Sequence, residues 1–171
     1  MDDEPFSQYE SLLSRIDDFC ARLRQLHGSH IACAPGCAAC CRQLLELLPV
    51  EFYHLQAQAC AASLPEPEAT DGVCPLLNNE TCLLYAHRPV ICRTHGMPLL
   101  VEENGLQRVD CCPENFKDGS PGNLSGDRLL HLERVNLLLV SINHIFCASR
   151  GIAAAQRISL ARIFSPAKTL P

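Results

Sequence analysis

Several function classes are excluded by what this chain lacks. The first residues, Met1-Asp2-Asp3-Glu4-Pro5, are acidic, whereas a secretory signal needs a basic start followed by an unbroken apolar stretch. The sequence therefore predicts no export signal. The longest apolar segment, 136–146, is interrupted by Asn143 and His144 and flanked by Arg134 and Arg150. It falls well short of the roughly 20 residues that cross a bilayer, so no membrane association is expected and the chain reads as cytoplasmic. Basic residues are scattered and the net charge is -5, which leaves no positive surface for a phosphate backbone. Nucleic acid is not an expected partner. A Gly-rich phosphate loop, an H-E-x-x-H helix and a G-x-S-x-G elbow are all missing, so the common kinase, dinucleotide and hydrolase readings have no motif to rest on. No internal repeat or low-complexity tract occurs.

With 171 residues, 47% apolar and 19% charged, the chain has the balance of a folded protein large enough to bury a core. One domain spanning 1–171 is the expectation. Cysteine is the outlier, at twelve residues. Disulfides do not persist in a reducing compartment, so thiols in this number point to metal or to small buried apolar side chains, and their distribution separates the two.

Apolar residues recur at Tyr9, Leu12, Leu13, Ile16, Phe19, Cys20, Leu23 and Leu26, predicting a helix over 7–27 with Cys20 in the core. Residues 28–44 lack that period and carry Gly28, Pro35, Gly36 and four cysteines, which predicts a loop. Pro49 suits the first position of a second helix reaching about Leu64, with Cys60 read as core. Residues 63–72 read as an exposed connection, and 74–85 as a small hairpin. Pro89 opens a short helix through Thr94, and Asn104-Gly105 predicts a second hairpin between 98–101 and 106–109. After a loop at 117–126 comes a long helix over 127–149, with the stripe Leu129, Leu132, Val135, Leu138, Leu139, Ile142, Ile145 and Phe146, ended by Gly151. Cys147 reads as packing, and 152–171 as a short helix and tail. The fold class is thus mainly α: helices packed around a Cys-rich, metal-stabilised loop region with one or two short β-hairpins.

Nine cysteines remain outside the helical stripes, all in loops or turns. Cys33, Cys37, Cys40 and Cys41 form C-A-P-G-C-A-A-C-C, whose short spacings let successive thiolates turn onto one small volume. Cys40 and Cys41 are adjacent, so their side chains are expected to diverge and serve different ligation roles. The second group holds Cys74, Cys82 and Cys92, and Cys111-Cys112 follow. Arg93 is either a counter-charge to several thiolates or a surface arginine. His95 is either a nitrogen ligand or a polar loop residue. One tetrahedral zinc takes four ligands, so a single ion would leave about half of the clustered thiols unused; two zinc ions or an iron–sulfur cluster would use more.

The pattern C-x3-C-x2-C-C at Cys33 to Cys41, C-P-x-L at Cys74 to Leu77 and C-x2-Y-x2-R-P-x2-C-R at Cys82 to Arg93 resembles the bacterial CxxCxxCC cysteine-cluster family, also called YkgJ-like. The resemblance covers residues 30–113. Its first gap here is three residues where the family name has two. It implies a zinc- or iron-chelating domain whose ligands are Cys33, Cys37, Cys40, Cys41, Cys74, Cys82, Cys92 and Cys112, with Cys111 an extra. Zinc is favoured slightly over iron or an iron–sulfur cluster, because it suits four thiolates without redox chemistry. Three roles stay open: a metal-stabilised binding module, an iron–sulfur redox or group-transfer protein, and a metal carrier. The residues name no enzyme activity and no protein partner.

Overall fold

A computed structural model describes residues 4–34, 36–64, 72–117, 121, 124 and 126–165. Helix α1 (Glu4–His27) buries Tyr9, Leu12, Leu13, Ile16, Cys20 and Leu23, three or four residues apart, on one face. The irregular segment 31–45 follows and leads through strand β1 (Glu46–Leu47) into helix α2 (Pro49–Ala61). Pro49 stands in the first turn, where its missing N–H costs nothing.

Next comes the hairpin of β2 (Leu77–Asn78) and β3 (Thr81–Cys82), then the five-residue helix α3 (Val90–Thr94). The second hairpin pairs β4 (Leu99–Glu103) with β5 (Leu106–Asp110) across Asn104 and Gly105. Both turn residues have positive φ, +53° and +74°, the geometry that an Asn-Gly pair adopts readily. Strand β6 (Leu130–His131) runs parallel to β4 on its other side and feeds helix α4 (Leu132–Arg150). Gly151, at φ +63°, ends α4 as the sequence predicts. Last, β7 (Ile158–Ser159) pairs antiparallel with β1.

The hydrophobic interior has two parts, and α2 lies between them. One joins α1, α4, Val50 of α2 and Val90 of α3 around Tyr9, Leu139 and Phe146. The other joins Phe52, Leu55 and Ala59 of α2 to Leu76, Leu84, Ile158, Leu160 and Ile163. A helix covered on two sides has no polar face, which is why α2 buries Glu51, His54 and Gln56 along with its apolar residues. Glu51 is put to use there. Its Oε1 accepts from Val90 N at 3.0 Å, so a carboxylate satisfies an orphan N–H of α3 and fixes that short helix against α2.

Four expectations need correction. The last long helix begins at Leu132 and not at 127, because Leu130 N donates to Pro98 O at 2.9 Å and commits 130–131 to the sheet. Leu138 and Ile145 are each 51% exposed; the covered face of α4 is instead Leu139, Asn143, Phe146 and Cys147. Residues 152–164 form no α-helix: Ile158 and Leu160 alternate inward, and Leu160 N donates to Leu45 O at 2.8 Å. Cys60 is exposed, while Cys20 and Cys147 are buried as expected. The expected connection at 65–71, part of the loop at 117–126 and the tail at 166–171 lie outside the described residues.

Asn143, which breaks the apolar run in the sequence, is fully buried. Its Oδ1 accepts from Val50 N at 3.1 Å and its amide donates to Ala154 O at 3.0 Å. It therefore ties α4 to the start of α2 and to the chain after α4. Asn143→Leu keeps the shape and strands both backbone groups, with an expected cost of about 2 kcal/mol, readable by urea unfolding.

Candidate metal centre

The segment 31–45 is held at its base by side chains from elsewhere. Ala32 N donates to Asn115 Oδ1 at 2.8 Å, the Asn115 amide donates to Gly96 O, and Phe116 N donates to His30 O at 2.8 Å. Arg24 of α1 donates to Cys33 O. Two tight turns then carry the rest of the motif, closed by Cys37 N to Ala34 O at 3.0 Å and Cys41 N to Ala38 O at 2.9 Å. From the other half, Cys74 N donates to Cys41 O at 2.9 Å, Leu77 N to Cys74 O at 3.0 Å, and Leu77 pairs with Cys82 across the hairpin. Cys92 sits in the middle of α3.

These elements bring Cys33, Cys37, Cys40, Cys41, Cys74, Cys82 and Cys92 onto one cavity, walled on its other sides by leucines such as Leu55, Leu76 and Leu84. Cys112 does not line it. Its turn is nevertheless laced to the base of the motif, since Asn115 N donates to Cys112 O at 2.9 Å. All twelve cysteines are free thiols. Among the described residues, no group of three or more Cys, His, Asp or Glu side chains is already arranged to hold a metal ion. The cavity gathers the donors from three segments without setting three of them in ligand geometry. The donor set itself fits zinc or iron, both of which accept soft thiolates.

Electrostatics explains why the thiols gather without ionising. Burial raises the Cys92 thiol well above the ordinary range, and charge on Cys74, Cys41, Cys82 or Cys40 would raise it further. Cys41 is pushed up to about 12, by burial first and then by Cys40 and Cys74. Cys40, Cys74 and Cys82 are raised for the same leading reason, burial. Without a cation these five thiols thus keep their protons at neutral pH, and a metal must displace them. Cys40 and Cys41, expected to diverge, both line the cavity from the 3-10 turn Ala39–Cys41.

The arginine that faces the thiols is Arg88. It lines the cavity, stacks 3.7 Å from the Tyr85 ring centroid, and donates to Tyr85 O at 2.9 Å and Cys92 O at 3.3 Å. Its charge partly offsets the upward push on Cys82. Arg93, singled out from sequence, is neither a thiolate partner nor a surface residue. It is buried and donates to Arg88 O at 2.6 Å, to Ala86 O at 2.5 Å and to Asp17 of α1. No helical spacing marks Arg88, which stands before α3 in extended backbone and reaches to Cys92 O, whereas Arg93 lies within the helix and turns to Asp17 of α1. His95 lines the cavity, which makes it available to the site.

Residues 32–113 match the family model "CxxCxxCC: Putative zinc- or iron-chelating domain". This stretch, just under half of the chain, carries the CxxCxxCC family pattern. No curated protein and no solved structure matches the chain. The CxxCxxCC domain thus contains all seven cavity cysteines as well as Cys112, while α1 and α4 lie outside it. No helix among the described residues is long and apolar enough to cross a membrane.

Two outcomes follow for the protein. Gly96 has φ +89°, and a Cβ there would lie 3.1 Å from Cys33 Cβ and 3.4 Å from its sulfur. Gly96→Ala is expected to cost about 1 to 2 kcal/mol through backbone strain and to displace Cys33, seen as a lower melting temperature and weaker metal retention. The metal-free protein should also lose stability in alkali. Burial pushes Cys20 up to about 11 and Cys41 up to about 12, so between the unfolded thiol value near 9 and those values the native state holds more protons than the unfolded one. Its stability is complete below about pH 9 and declines as pH rises, by at most about 1.4 kcal/mol per pH unit for the buried Cys20 and by much less for the half-exposed Cys41, whose charge water screens. Denaturant melts from pH 8 to 11 check this.

Proposed function

We propose that this is a metal-binding protein of a reducing, cytoplasmic compartment, one domain whose two cysteine-bearing halves close on zinc through thiolates. The observation that carries this reading is the convergence on one cavity of seven cysteines from three separate segments. Packing has no use for seven thiols on one cavity, and a cation would relieve the charge that their ionisation creates. Cys41, Cys74, Cys82 and Cys92 supply the four sulfurs that a tetrahedral zinc takes, and bound zinc would fasten 31–45 to the hairpin and α3. Arg88 compensates part of the negative charge that a tetrathiolate site carries.

A second reading, an iron–sulfur cluster with a redox or group-transfer role, is favoured by the number of thiols and by the leucine walls, which lower the local dielectric. Metal analysis and an absorption spectrum of anaerobically purified protein decide between them. Zinc with no visible absorption supports the first reading. Iron with acid-labile sulfide and a brown colour supports the second, and metal-free protein under both aerobic and anaerobic preparation contradicts both. A structural role for the ion and a carrier role differ in exchange rate. A carrier would give up its metal to a chelator while its helical interior, built from two apolar clusters, stayed folded.

A further inference from the structure

Asn115 lies just beyond the matched stretch 32–113, and no cysteine of the cavity is near it in sequence. It is buried, and both ends of its amide are bound to backbone. Oδ1 accepts from Ala32 N at 2.8 Å, one residue before Cys33, and Nδ2 donates to Gly96 O, two residues past the end of α3. Its own N–H donates to Cys112 O at 2.9 Å. One side chain thus joins the entry of the first cysteine-bearing segment to the exit of the helix that bears Cys92. Packing at this point is close: a Cβ on Gly96 would lie 3.3 Å from the Asn115 amide nitrogen and 3.4 Å from the Cys33 sulfur. The next residue, Phe116, is at φ +54°, a left-handed conformation that bulky side chains rarely take. It is held there by its N–H on His30 O, at 2.8 Å, and by its ring, stacked on His30 and edge-on to His27.

Resting on the metal reading above, we infer that Asn115 is a positioning residue for the metal cavity: it fixes the segment 31–45 against the C-terminal end of α3 and so sets the separation of the two cysteine-bearing halves. Asn115 does not line the cavity and acts only through the backbone it holds. The two bonds demand an acceptor and a donor at the end of one short side chain, which asparagine has and ionised aspartate lacks. A second tie, from Cys74 N to Cys41 O at 2.9 Å, joins the far end of the cysteine motif to the other half. Cys33 to Cys41 therefore run between two anchored points. Without the Asn115 anchor one of these points is free, the thiols range more widely, and the ion is held less tightly.

The test compares three full-length proteins loaded with zinc or with cobalt: wild type, Asn115→Asp, and Asn143→Leu, which strands two buried backbone groups outside the cavity lining. Zinc release to a chromophoric chelator should be at least about 10-fold faster in Asn115→Asp, the loss expected for a residue that supports a ligand. Its sulfur-to-cobalt charge-transfer band should shift or weaken as well. Asn143→Leu, though less stable, should keep the wild-type release rate and the wild-type spectrum. Wild-type release and spectrum in Asn115→Asp, or an equal change in Asn143→Leu, overturns the inference while leaving metal binding itself standing. Amide exchange of metal-free wild type covers a variant that fails to fold: the Ala32 N–H should be protected, and exchange at the rate of an open loop overturns the inference. Wild-type protein that binds neither metal removes the reading on which the inference rests, and the inference with it.

Discussion

Cys92→Ser is expected to lower metal affinity by more than about 100-fold, whereas Cys20→Ser leaves metal content unchanged. Losing a residue that merely supports a ligand costs roughly 10- to 100-fold, so losing a ligand outright costs at least that. Cys92 is the critical position because it sits on α3, which is held by Glu51 from α2, and its thiol feels the charge of four others. Cys20 is the more buried of the two, but it packs in the α1 core away from the cavity, and its sulfur donates to the carbonyl of Arg93 at 3.8 Å. Serine at position 20 should therefore cost packing alone, about 1 kcal/mol. Metal analysis of the purified variants, with circular dichroism to confirm that each is folded, makes the comparison. Equal metal content in both would contradict the assignment.

Arg93→Ala is expected to destabilise the protein by roughly 3 to 4 kcal/mol, although the residue touches no thiol. Its guanidinium holds two backbone carbonyls, Ala86 and Arg88, and the carboxylate of Asp17. Hydrogen bonds to a charged donor are worth roughly 1.5 to 3 kcal/mol each, and water recovers part of the loss because Asp17 is half exposed. The carbonyl of Arg88 is among those freed, so the cation above the thiols should loosen as well. Urea unfolding of metal-free protein measures the first effect, and faster metal release measures the second. Arg93→Lys should restore little, since one ammonium cannot span three acceptors in fork geometry.

The helices were legible because burial on one face leaves a period that a reader can count, as at Tyr9, Leu12, Ile16, Cys20 and Leu23. Asn104-Gly105 was legible because few dipeptides accept two positive φ values. The errors fall where a partner distant in sequence decides the outcome. Residues 130–131 and 158–159 carry helix-compatible sequence, and only pairing with β4 and β1 makes them strands. Cys60 continues the apolar run of α2 in sequence, yet the turn it occupies faces solvent.

At the site, the clustered thiols announced themselves by spacing alone. Seven of the eight named as ligands meet at the cavity, and Cys112 stands with the segment that braces Cys33. The roles of the two arginines were not legible in the same way. Arg88 and Arg93 occupy the same short motif, and which of them meets sulfur depends on where α3 docks against α1. Asn143 read as an interruption because its partners, Val50 N and Ala154 O, belong to other segments of the chain.

X-ray absorption at the metal edge, on protein purified without oxygen, probes the central claim most directly. Sulfur scatterers at about 2.3 Å, about four to each zinc, are the expected result. Bound metal surrounded by oxygen and nitrogen alone, or cavity sulfurs that bind no metal in the reduced protein, would contradict it.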